Sequence, residues 1–191
     1  MNGSQRFSMA TLVCLWLVSG LVTVELAAND KTTIAGGGQG TFNADLDRDG
    51  DVDGSYFGIG VALRHDDNDD AETKNSAEGH FVCAMWGNTD FLGLPLMGVE
   101  GRITRASVKL RGRKTVVTFW GRGTVDLGTG PAGFYENVPF EVVVTEGGPG
   151  VGTLKLTVIG AFDGVPGDTK PGNGNYDLPV ETVFNGMIRF N

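Results

Sequence analysis

Gly152-Thr153-Leu154-Lys155-Leu156-Thr157-Val158-Ile159-Gly160 is the stretch that decides the fold class. Leu154, Leu156 and Val158 fall on one side of an extended chain, and Lys155 and Thr157 fall on the other. A period of two fits a strand with one buried face. An amphipathic helix would place its apolar residues three and four apart. Working outward, similar apolar and β-branched runs occur at 39–44, 55–64, 79–87, 99–111, 115–127, 138–146 and 181–190. Turn residues separate them. Arg111-Gly112-Arg113-Lys114 reads as a tight hairpin, and Gly147-Gly148-Pro149-Gly150 as a second turn. No window carries a helical stripe with caps. About eight strands at this spacing make an all-β protein, either an antiparallel β-sandwich or a closed β-barrel.

Composition agrees. Thirty-one of 191 residues are glycine, about 16 %, against a usual level of roughly 7 %. Glycine favours turns and penalises helix interiors. The run Gly36-Gly37-Gly38-Gln39-Gly40 is followed by no helical pattern, so it reads as a turn rather than a phosphate cradle. The net charge is −8. An acidic chain gains nothing from a phosphate backbone, so nucleic acid is not an expected partner.

The first 28 residues read as an export signal. Arg6 precedes the uncharged, mostly apolar run 9–24, and Leu26-Ala27-Ala28 offers a cleavage point. The run has 16 residues, fewer than the ~20 a spanning helix needs; a short uncut anchor is the other reading. The expectation is one β-domain over 29–191, secreted, periplasmic or at the cell surface, with no transmembrane span in the mature chain. Cys14 leaves with the signal and Cys83 remains alone in an apolar strand, so no intrachain disulfide is expected. Cys83 reads as a small buried hydrophobe.

If successive strands alternate direction, the loops sort to two ends. One end collects 45–54, 88–98, 128–137 and 161–180; the other collects 65–78, 111–114 and 147–151. The long Asp/Asn/Gly-rich connections gather mostly at the first, which makes it the expected binding face.

The strongest local motif lies there. Asp45, Asp47, Asp49, Gly50 and Asp53 hold positions one, three, five, six and nine of a loop that can wrap a calcium ion, with Asp51 at seven. Val52 takes position eight, where an apolar residue tacks such a loop to the core. Over about ten residues this resembles the calcium loop of EF-hand and dockerin modules. The departure is at position twelve, where Tyr56 replaces a carboxylate, and no helix flanks the loop. The run Asp66-Asp67-Asn68-Asp69-Asp70 lacks the spaced glycine and reads as a solvated loop.

Catalytic signals are sparse, and no residue is nominated as catalytic. There is no Gly-x-Ser-x-Gly elbow and no His-Glu-x-x-His motif. His80 and Cys83 stand three apart in a strand and so face opposite ways. Seven basic residues between 101 and 122 read as the solvated face of a hairpin, or as a surface for a polyanion. Trp86 and Trp120 lie in apolar strands and read as core. Phe134 and Tyr135, read as part of a long loop, are the candidate ligand-facing aromatics.

Taken together, Ile34-Ala35-Gly36-Gly37-Gly38, Phe57-Gly58-Ile59-Gly60, Gly79-His80-Phe81-Val82-Cys83, Gly147-Gly148-Pro149-Gly150 and the late Asn185-Gly186 resemble a small β-rich exported bacterial domain related to the so-called post-COAP domain. The resemblance implies a secreted β-domain and carries no catalytic residues. The expected function is an exported, non-catalytic binding or structural domain stabilised by calcium, with an extracellular or cell-surface partner. The alternative is an extracellular hydrolase that attacks glycan or another polymer through loop carboxylates.

Overall fold

The computed structural model describes residues 32–43, 45, 52–64, 75–86, 97–112, 114–128, 130–165 and 167–191. Alternating apolar residues build nine strands: β1 (Thr33–Phe42), β2 (Gly54–Arg64), β3 (Asn75–Trp86), β4 (Gly98–Arg111), β5 (Lys114–Asp126), β6 (Phe134–Thr145), β7 (Thr153–Ile159), β8 (Asn175–Asp177) and β9 (Glu181–Phe190). A 3-10 turn, Gly130–Gly133, precedes β6.

Strands β1 to β7 pair each with the next, all antiparallel, and β9 pairs with both β1 and β7. The sheet therefore closes into an eight-stranded up-and-down barrel. The short β8 pairs with the end of β7, beyond the stretch that β9 covers. The β7–β9 seam is brief: Thr153 faces Thr182 and Leu154 faces Glu181. Of the two folds the sequence allows, the barrel is the one adopted.

Eight strands leave an interior that side chains just fill. Phe81 lies at its centre, fully buried, with the Phe119 ring edge-on at 5.9 Å and the Phe140 ring tilted at 5.6 Å. Room for Phe140 comes from two inward glycines. A Cβ at Gly101 would stand 2.6 Å from Phe140 Cε1, and one at Gly121 equally crowds the ring. The stripe Leu154, Leu156 and Val158 is buried as its alternation requires. The basic residues Arg102, Arg105, Lys109 and Arg122 are exposed on the outer wall. A membrane-spanning barrel has the reverse polarity. No helix among the described residues is long and apolar enough to cross a membrane.

Three expectations need correction. The glycine run 36–40 is the middle of β1 and not a turn, so β1 begins at Thr33 rather than at Gln39. Its backbone runs against β9 too closely for side chains: a Cβ on Gly36 would lie 2.8 Å from Met187 O. Trp120 is not core. A bulge between Ile103 and Arg105 sets Arg105 opposite Trp120 on the outer wall. There the half-buried indole Nε1 donates to Glu141 Oε2 at 2.6 Å, and the Arg105 guanidinium stacks 4.5 Å from the ring centroid. Phe134 and Tyr135 open β6 instead of lying in a loop. The side chain of Trp86 and residues 1–28, read from the sequence as an export signal, lie outside the described residues.

Candidate functional site

The meander sorts the connections as alternation demands. The β1–β2, β3–β4, β5–β6 and β7–β8 connections share one end, which we call the mouth. The β2–β3, β4–β5 and β6–β7 connections share the other.

At the mouth the register of β5 and β6 slips by one residue. Gly123 faces Val138, but Val125 faces Tyr135. A bulge of this kind re-aims the side chains beyond it. Asn137 takes up the extra residue with φ 58°, and Arg122 Nη1 holds its carbonyl at 2.9 Å. Tyr135 thereby stands opposite the inward Val125. Its ring meets Phe162 of the β7–β8 loop edge-on, with centroids 5.2 Å apart and planes at 87°. Phe162 has φ 61°, and with Ala161 and Val165 it packs against the core. Asn137 and Phe162 are the only described non-glycine residues with positive φ. Such backbone costs of order 1 kcal/mol or more, and it persists only where the surroundings enforce it. Here both strained residues hold the same aromatic pair. Phe134 and Tyr135 remain 46 % and 42 % exposed.

The β7–β8 loop is built by carboxylates that accept backbone N–H groups. Asp163 accepts from Gly172 at 2.7 Å and from Gly174 at 2.9 Å. Asp168 accepts from Gly164, Lys170 and Asp177. Desolvation works against the charge of Asp168, but those three N–H donors outweigh it and hold the carboxyl below its ordinary value. Asp177 is likewise held low. Burial opposes its charge, while the Lys155 ammonium at 2.6 Å, Asn173 and Lys170 favour it. These carboxylate oxygens are engaged in shaping the loop.

Beneath the mouth lies a group that sequence reasoning missed. Glu181 opens β9 facing inward and is 2 % exposed. Ser55 Oγ donates to its Oε2 at 2.6 Å. Burial pushes the carboxyl up to about 7, and the Ser55 bond offsets that only in part. Cys83 lies nearby. Burial first, and the Glu181 charge second, drive its thiol far above the ordinary range. Gly40 makes the space, since a Cβ there would lie 2.8 Å from Glu181 Cδ. The signal was present in the sequence: Glu181 shares a period-two face with Val183, as Ser55 does with Phe57 and Ile59.

Of the acidic loop, Asp45, Val52 and Asp53 are described, and Val52, 58 % exposed, does not tack the loop to the core as its spacing suggests. Asp45 is exposed, and Asp53 is 1 % exposed, its carbonyl bonded to Phe42 N at 2.9 Å. Asp47, Asp49 and Asp51 lie outside the described residues, as do His65 and the run 66–70. Tyr56 projects from the outer wall, 53 % exposed. Among the described residues no three His, Cys, Asp or Glu converge as a metal group. His80 is exposed and bonded to Glu100 at 2.9 Å, while Cys83 is buried, so the two face opposite ways.

No family model, curated protein or solved structure matches the chain. The resemblance to the post-COAP-related domain rests on the quoted segments alone.

Proposed function

We propose that this chain is an exported, non-catalytic binding domain that engages its ligand at the mouth, on the aromatic rim of Phe134, Tyr135 and Phe162. The observation that carries this reading is the Tyr135–Phe162 pair, fixed by two strained residues above a filled core. Rigid, half-exposed aromatic rings give contact area at little entropic cost. Their faces suit the C–H faces of sugar rings, so the proposed ligand is a glycan. The loop Asp45–Asp53 is the proposed calcium site. The Phe42–Asp53 bond closes its neck, which supports a loop able to wrap an ion. Tyr56 supplies no carboxylate at position twelve, so the proposed affinity is below that of a complete loop.

The hydrolase alternative has one observation in its favour. A carboxyl held protonated up to about pH 7, as Glu181 is, suits a general acid. Against it, Glu181 is sealed from solvent and engaged by Ser55.

Native gels containing soluble β-glucan, xylan or mannan test both readings. The binding reading expects retardation in at least one gel, lost in Tyr135→Ala and Phe134→Ala while their melting temperatures stay within a few degrees. Equal retardation of the variants and the wild type, or none in any gel, removes it. Release of reducing ends that vanishes in Glu181→Gln would establish the hydrolase instead.

A further inference from the structure

We infer a second binding site at the opposite end of the barrel: the outer edge of β4 over Ser107–Arg111, which accepts an extended acidic peptide as an added strand. Pairing between β3 and β4 ends where Asn75 faces Ala106. β4 continues for five more residues, which pair only with β5 among the described residues, from Ser107 opposite Thr118 to Arg111 opposite Lys114. In a two-residue hairpin the pair flanking the turn is the hydrogen-bonded one. Alternation from Arg111–Lys114 then directs the backbone N–H and C=O of Val108 and Leu110 away from β5, along an edge that no described strand covers.

The side chains select the partner. Val108 faces the same way as the buried Val117, yet it is 40 % exposed, and Leu110 beyond it is 79 % exposed. The hairpin has left the barrel by then, and its inner face offers an apolar strip. The outer face carries Lys109, Arg111 and Lys114, all exposed. No described carboxylate pairs with any of the three. Charged residues on an edge strand guard against edge-to-edge aggregation. Here they discriminate. A second copy docking edge to edge would set Lys109 and Arg111 against like charges, which is repulsive. A strand with acidic residues on one face and apolar residues on the other matches both faces at once, and its backbone satisfies the edge.

The probe is a short capped peptide of alternating valine and glutamate, read by amide hydrogen exchange at neutral pH. At saturation the Val108 and Leu110 amides should slow at least tenfold, less so as salt is raised. The double variant Lys109→Glu/Arg111→Glu should lose this protection and gain it with the valine–lysine peptide. Its melting temperature controls for folding, and the single variant Lys109→Glu gives an intermediate loss. Three results overturn the site. One is protection of Val108 and Leu110 in the peptide-free monomer, which means the chain itself covers the edge. Another is dimerisation through the edge. The third is equal binding of a glutamate–proline peptide, which cannot add as a strand, so that charge alone accounts for the affinity.

Discussion

The Ser55 hydroxyl meets the Glu181 carboxyl across Gly40, 2.6 Å apart in space and 126 residues apart in the chain. Ser55 lies on β2 and Glu181 on β9, the two neighbours of β1, and the missing side chain of Gly40 leaves the gap where they join.

That arrangement sets a pH dependence. Folded Glu181 keeps its proton to about pH 7, against an ordinary value of 4.5. Between those values the unfolded chain releases a proton that the folded chain retains. Stability is therefore highest at the acid end of this window and falls as pH rises through it, by about 3 kcal/mol in all. Urea midpoints of the wild type should drop between pH 5 and pH 8, and Glu181→Gln should flatten that slope. Parallel slopes for the two proteins would show that Glu181 is not the titrating group.

Filling the gap should be costly. Gly40→Ala puts a methyl against the carboxyl and is expected to destabilise by about 1–3 kcal/mol. In a Glu181→Ala background the same change should cost markedly less, because the two sites share one space. A double-mutant cycle with additive costs would contradict this packing.

Cys83 should be inert in the native state. Its thiol is buried and its ionisation opposed by burial and by Glu181. A thiol reagent at pH 8 should label it only as fast as the barrel unfolds, and denaturant should speed labelling in step. Rapid labelling of folded protein would mean that the wall opens locally.

Phe81 should be the most sensitive aromatic. Phe81→Ala removes a ring in contact with Phe119 and Phe140 and should cost about 3–5 kcal/mol. Thermal or urea unfolding measures it.

Calcium should raise the melting temperature, since a ligand bound only by the native state stabilises it. Asp47→Ala should abolish the shift and Asp67→Ala should leave it intact. A melt unchanged at millimolar calcium removes the metal site.

The sequence carried the strands and their directions well, because burial enforces the period of two: β2, β5 and β9 lie within one residue of their expected bounds. It carried only the end of β1, and it named the mouth aromatics Phe134 and Tyr135 but set them in a loop. The glycines of β1 look like turn residues, and only the approach of β9 explains them. Tyr135 looked like a loop residue because its register depends on a bulge at Asn137 that no alternation records. Glu181 stood in plain view on an inward face, but its tolerance there depends on Gly40, about 140 positions earlier, and spacing along a chain does not reveal such a partner.

The ring closes only when β9 reaches β1 and β7. Every other neighbouring pair forms between strands adjacent in the chain, so a nascent meander can grow in order while two raw edges persist to the end. Contacts between distant parts of a chain form slowly. A ribosome that stops short of residue 181 thus releases a curved open sheet, with Ser55 facing no acid and a sticky margin on each side. Such a product belongs to proteolysis or aggregation, and β9 decides between that fate and a barrel.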